Sequence, residues 1–117
     1  MNNKRLGTAF EREFCTLMAA RGWWVHFIAP AANGGQPFDV IAVKAGRAIA
    51  IDCKTSVKRM FSISRLEENQ KMAFEKWKAC GNEEPLVAVK YDGNIYLIPY
   101  SHLKKMEVVD LEKEIPV

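Results

Sequence analysis

Two aspartates and a lysine stand at a spacing that can support phosphate chemistry: Asp39, then twelve residues, then Asp52-Cys53-Lys54. Both aspartates sit at the ends of runs rich in valine, isoleucine and alanine, FDVIAVK and AIAIDCK, separated by Ala45-Gly46 and Arg47. Such runs read as the two strands of a hairpin. With a two-residue turn at Ala45-Gly46, Asp39 falls directly opposite Asp52, on one face and about 5 Å away. Lys54, two residues on, shares that face. A three-residue turn would break the pairing. Two carboxylates that close repel each other unless a cation or a proton lies between them, and at the ends of apolar strands they also lose hydration. Oxygen donors with part of the coordination sphere left to water suit Mg²⁺ or Mn²⁺. Such an ion polarises a phosphate oxygen and acidifies a bound water, while the lysine orients that water or neutralises developing charge. The competing interpretation is a structural salt bridge from Lys54 to one aspartate, which leaves the other carboxylate unpaired.

The rest of the 117 residues reads as the frame that holds these three. Leu6, Phe10, Phe14, Leu17 and Met18 recur at helical spacing before Gly22, giving a first helix from about Lys4 to Arg21. Trp23 to Ile28 is a short strand, and Ala29 to Pro37 is a loop of proline, glycine and asparagine. The hairpin follows, apolar on both faces and so expected to be covered on both sides. Thr55 to Ile63 is basic and polar apart from Phe61. Ser64 with Glu67 three residues on resembles a capping box, and Leu66, Ala73, Phe74 and Trp77 form the buried stripe of a second helix ending at Gly81. Leu86 to Tyr91 and Asn94 to Pro99, joined by Asp92-Gly93, form a second hairpin, and Ser101 to Met106 a short helix. The expected fold is α/β, a mixed central sheet flanked by helices in the order α-β-β-β-α-β-β. Residues 1–106 make one domain and 107–117 an acidic, flexible tail.

Composition narrows the partners. The tail holds four acids against one lysine, leaving 16 basic and 10 acidic residues in positions 1–106. Seven basic side chains crowd between Lys44 and Lys71, enough for an anionic partner such as nucleic acid. Three cysteines without a CxxC pair argue against a disulfide framework or a structural zinc site and point to a reducing, cytoplasmic setting. No signal core and no run of eighteen apolar residues is present, so no membrane partner is expected. His26 and His102 lie apart and are assigned to structure. Cys53 lies between two site residues with its side chain on the opposite face, so its contribution there is the backbone carbonyl. Helical geometry does not choose between Glu11 and Glu13, since both flank the apolar stripe of the first helix.

The segment PFD, twelve residues, DCK resembles the PD-(D/E)xK signature of restriction-endonuclease-like nucleases. GTAFERE before the strands, the Gly-rich loop leading into Asp39 and EPLVAVKY after the second helix are similar to the archaeal-type Holliday junction resolvases. The similarity covers about residues 4–98. It implies the restriction-endonuclease-like fold and a Mg²⁺-dependent (Mn²⁺ as the alternative ion) endodeoxyribonuclease resolving four-way DNA junctions. It also implies a homodimer, because symmetric cutting needs two sites about a two-fold axis. Glu11 becomes the catalytic glutamate of the first helix, Asp39 and Asp52 the central metal ligands with the Cys53 carbonyl, and Lys54 the catalytic lysine. Arg12 matches a basic residue beside that glutamate, placed to contact phosphate. Gln70 matches a glutamine that reaches the metal-bound water or the phosphate in related nucleases; otherwise it satisfies a backbone group at the helix edge. Lys44, Arg47, Lys58, Arg59 and Arg65 are candidates for DNA-backbone contacts. Trp23, Trp24, Phe61, Ile95, Tyr96 and Tyr100 are candidates for the dimer surface. The chain departs from the resemblance twice: Asp52 stands where a glutamate is usual, and the loop before Asp39 has no serine, leaving Asn33 or Gln36 for any polar role. The alternatives are a general or other structure-specific nuclease of replication, repair or a phage, and a catalytically silent nucleic-acid-binding module.

Overall fold

The computed structural model describes the backbone of residues 3–29 and 35–117, and the side chains within those spans from residue 8 onward. Helix α1 (Asn3–Ala20) is followed by strands β1 (Trp24–Phe27), β2 (Val40–Lys44), β3 (Arg47–Thr55) and β4 (Met60–Ser62). Then come α2 (Glu68–Ala79), β5 (Leu86–Tyr91), β6 (Asn94–Pro99), α3 (Tyr100–Met106) and β7 (Val108–Asp110). A five-stranded mixed sheet in the order β1-β2-β3-β5-β6 forms the centre. All neighbours run antiparallel except β3 and β5, which are parallel. A parallel pair needs a crossover, and the chain between β3 and β5 carries α2 to the face opposite α1. Among the described residues, no helix is long and apolar enough to cross a membrane.

The β2–β3 turn is the two-residue one. Lys44 pairs with Arg47 and Val40 with Ile51, and Ala45 and Gly46 both take positive φ, at 51° and 77°. Two left-handed residues in a row give the turn whose twist matches a hairpin, so the register that aligns position 39 with position 52 is built in at the far end of the ladder.

Each face of the sheet buries its own apolar layer. On one side Phe10, Phe14 and Met18 of α1 cover Val40, Ala42, Ile49, Ile51, Cys53 and Ala88. On the other, Phe38, Ala50, Phe74, Val87, Val89, Ile98 and Leu103 pack beneath α2 and α3. β3 runs between the two layers, and Ile49 through Cys53 are all buried. The side chain of Leu6, assigned above to the helix stripe, lies outside the described residues.

Three expectations are corrected. Helix α2 begins at Glu68, after a 3₁₀ turn over Ile63–Arg65 that contains Ser64. The residue at the helix entry is Glu67, whose backbone N–H donates to Gln70 Oε1 at 2.9 Å. The capping pair is therefore Glu67 and Gln70, three positions later than Ser64 and Glu67. Segment 107–117, set apart as a flexible tail, instead supplies β7, which pairs with β4, and buries Val109 and Leu111. Those two apolar residues outweigh the acidic character around them, and the Val117 N–H donates to the Ile95 carbonyl at 2.8 Å. Finally, Phe61, Ile95, Tyr96 and Tyr100 are buried core residues, not a free surface. Phe61 enters the core because β4 pairs with β7. Of the six aromatic and apolar candidates, Trp24 is openly exposed, at 62%, and Trp23 is half-buried with Lys44 Nζ 5.9 Å from its ring centroid.

Candidate active site

At the C-terminal half of β3 the sheet turns from apolar to charged. Asp52 is fully buried and Asp39 is nearly so. Asp39 sits just before β2, its N–H donating to the Ile51 carbonyl and its own carbonyl accepting from the Ile28 N–H. Its carboxylate is fixed by the Cys53 N–H, which donates to Oδ2 at 2.8 Å. Lys54 Nζ lies 3.3 Å from Asp52 Oδ2 and donates to Gln70 Oε1 at 3.2 Å. Gln70 Nε2 donates to Asp52 Oδ1 at 3.1 Å. Gln70 thus joins the lysine, the buried aspartate and the start of α2. The helix-edge role is met by Oε1, which accepts from the Glu67 N–H, and the same side chain bonds the lysine and the buried aspartate.

Asp52 Oδ2 remains buried without a hydrogen-bond partner among the described residues. Lys54 is within ion-pair range of it but off hydrogen-bonding geometry. The electrostatics follow from that placement. Burial first, and the neighbouring Asp39 second, push the Asp52 carboxyl up from 3.8 to about 8, with Lys54 offsetting only part. Glu11, on α1, is pushed to about 7 by burial, then by Asp39, again against Lys54. Glu13 faces elsewhere and is held by Lys90 Nζ. The two glutamates differ in surroundings: Glu11 shares a field with Asp39 and Lys54, whereas Glu13 is in a surface ion pair.

The donor set fits a hard divalent cation. It offers two adjacent carboxylates, one with a buried oxygen that accepts no hydrogen bond, and among the described residues no thiolate or imidazole is turned toward them; the Cys53 side chain lies in the α1 layer. Among the described residues no three His, Cys, Asp or Glu side chains gather into a closed metal cluster. Glu11 lines a hollow beside α1.

The basic candidates divide by place. Arg12 lines a hollow together with Glu11. Lys58 and Arg65 line a second hollow beside Ser56, just past the end of β3, and Arg65 Nη2 donates to the Thr55 carbonyl at 2.7 Å. Arg59 is taken up by Asp110 and Glu112 of the C-terminal segment. Lys44 and Arg47 lie at the opposite end of the hairpin, roughly 16 Å from Asp52 at strand spacing. Lys44 donates to the Arg21 carbonyl and Arg47 pairs with Glu83. Asn33 is outside the described residues. The polar role of Gln36 belongs to its carbonyl, which accepts from Asn69 Nδ2 at 2.9 Å. Asn69 and Phe27, at the edge of the site, carried no sequence signal beyond their place in an element. His26 stacks on Trp24 at an exposed strand and His102 lies 3.4 Å from Glu114, both away from the carboxylates.

The sequence profile of the archaeal Holliday junction resolvase (Hjc) family matches residues 2–116. The chain belongs to the Hjc family. A curated relative, crossover junction endodeoxyribonuclease Hjc of Methanocaldococcus jannaschii, is 29% identical over 94 residues, covering 80% of this chain and 65% of that protein. The chain thus spans just under two thirds of that relative's length. The solved structure of Hjc from Archaeoglobus fulgidus, described as a Holliday junction resolvase, matches with a TM-score of 0.72 at 21% identity. The match covers 91% of this chain and 89% of that one. This likeness establishes the fold of the Hjc family for the mixed sheet and its flanking helices.

Proposed function

We propose that the protein is a structure-specific endodeoxyribonuclease that resolves four-way DNA junctions by hydrolysing phosphodiester bonds with Mg²⁺, or Mn²⁺ in its place. The observation that carries this is the buried Asp52 carboxyl beside Asp39, whose Oδ2 has Lys54 Nζ at 3.3 Å but no hydrogen bond among the described residues. A buried Asp52 carboxyl that is costly to ionise in the absence of a cation, set beside a second aspartate, is not needed by a protein that only binds DNA. The names of the M. jannaschii and A. fulgidus relatives support the junction as substrate.

Asp39 and Asp52 would hold the ion, with the Cys53 carbonyl and Glu11 as further oxygen donors. When bound, a divalent cation supplies charge neutralisation at a phosphate oxygen and an acidified water. The remaining work belongs to this chain. Gln70 fixes Lys54 Nζ at the mouth of the carboxylate pair, where the ammonium orients an attacking water and balances charge growing on the phosphate. The Cys53 N–H keeps the Asp39 carboxylate from rotating away. Arg12 on one side and Lys58 with Arg65 on the other seat the strand by its phosphates, without reading bases. Two-fold cutting of a junction requires a homodimer.

A synthetic four-way junction and a matched linear duplex, each with Mg²⁺ or EDTA, test the proposal. Paired symmetric nicks in the junction alone, abolished by EDTA, are expected. Cutting of both substrates would replace the proposal with a general nuclease, and binding without cutting with a silent module. Light scattering of the same sample tests the dimer.

A further inference from the structure

Between α1 and β1 a hollow of about 490 Å³ is lined by Thr8, Glu11, Arg12, Cys15, Thr16 and Phe27. Its walls differ in character. Arg12 is exposed and makes no ion pair among the described residues, and its carbonyl is tied to the Thr16 hydroxyl at 3.0 Å. Cys15 is half-buried and its thiol is held protonated, chiefly by burial, so it acts as an apolar wall. Phe27 closes the other side. Register explains why it is there: Phe27 pairs with Val40, and Val40 with Ile51, a row that faces α1. Yet Phe27 is absent from the packed layer and keeps 39% of its surface open. An aromatic ring is thus turned toward the active-site helix and left uncovered, with a guanidinium across from it.

We propose that this hollow holds one unstacked nucleotide of the branched DNA, its base against Phe27 and its phosphate on Arg12, beside the strand position served by Asp39 and Asp52. The inference rests on the nuclease function proposed above and adds how a junction is told from a duplex. A nucleotide is a flat apolar base joined to an anionic backbone, and the hollow presents an aromatic face and a cation to match. Its volume accommodates a base with its sugar and excludes a duplex. In a linear duplex every base face is already stacked, so none is free to lie on Phe27. At a branch point the stack is interrupted and the cost of turning one base outward is smallest. Base–aromatic stacking is indifferent to sequence because every base has a π-face, which gives selection for shape without a sequence code. Glu11, in the wall of the same hollow, sets the bound nucleotide next to the carboxylates.

The test uses the full chain with a four-way junction carrying 2-aminopurine at the branch point, a matched duplex, and Ca²⁺ in place of Mg²⁺ to hold the complex uncut. Wild-type protein should change the emission of the junction probe and leave the duplex probe unchanged. Phe27→Leu and Phe27→Ala should lose about five- to a hundredfold of the junction-over-duplex affinity ratio and the emission change, while Phe27→Tyr retains both. Melting curves of the three variants show whether each is folded, and Phe27→Leu keeps the test alive if the alanine is not. Wild-type cutting of the junction together with an unaltered affinity ratio and emission change in Phe27→Leu would overturn the nucleotide site and leave the resolvase intact. A wild type without junction preference would overturn the resolvase function, and the nucleotide site with it.

Discussion

Replacing Asp52 by asparagine should make the metal-free protein more stable, and increasingly so as pH rises. In the folded chain the carboxyl titrates at about 8 against 3.8 in the unfolded chain. Between those values the unfolded state ionises freely while the folded state must keep the proton or bear a buried charge. Folding stability therefore falls as pH rises through this window, by at most about 1.4 kcal/mol per unit, to a ceiling of about 4 kcal/mol at pH 7. Asparagine removes the titration but leaves Lys54 without its partner, so the net gain at pH 7 should be about 1–3 kcal/mol, or roughly 4–12 °C in Tm. At pH 4 the two proteins should differ little, because pH 4 lies so close to 3.8 that the linkage cost has shrunk to about 0.6 kcal/mol. Urea unfolding in EDTA at pH 4, 5.5 and 7 measures the series. Adding Mg²⁺ at pH 7 should then raise the wild type more than the variant, since binding to the folded state alone stabilises it by mass action. A gain that is absent at pH 7, or equal at all three pH values, would refute the claim that this carboxylate is held against its own charge.

Lys54→Met should lower kcat about a hundredfold or more with little change in junction affinity, as expected when a charge is lost from the transition state; single-turnover cleavage separates the two. Glu11→Gln should impair cleavage strongly while Glu13→Gln leaves it near wild type, because Glu13 is engaged by Lys90 in a surface ion pair. Leu111→Ala should cost about 2–5 kcal/mol in urea, the range for a large side chain lost from a core; a cost under 0.5 kcal/mol would return residues 107–117 to the status of a tail. Lys58→Ala should weaken junction and duplex binding alike and reduce the slope of log K against log salt by about one, measurable by anisotropy titration.

The centre of the site was legible because its signals are local. A two-residue turn fixes the β2–β3 register, and register carries Asp39, Asp52 and Lys54 to one place. Gln70 stood out as the polar residue in an apolar helical stripe. What stayed hidden depends on partners distant in sequence. Glu11 and Glu13 both flank the apolar stripe on a helical wheel; Lys90, 77 residues on, takes Glu13, while Asp39 and Lys54 act on Glu11. Phe61 looked exposed because its neighbours are polar and basic; it is buried because β4 pairs with a three-residue strand inside an acidic segment. Charge counts were the least informative. They group Lys44 and Arg47 with Lys58, although a nine-residue strand places the first two at the far end of the sheet.

The ribbon of β4 and β7 sets an order of assembly. Residues 59–62 take anchors from residues 108–111: the Arg59 side chain from Asp110, 51 positions later, and the Arg59 carbonyl from the Leu111 N–H. Contacts at such separation are entropically late to form, whereas the β2–β3 hairpin that carries the aspartates closes on itself. During synthesis the carboxylate pair can thus take shape while this corner is still loose. The corner that carries Lys58 is completed only after residues 108–111 have emerged and docked.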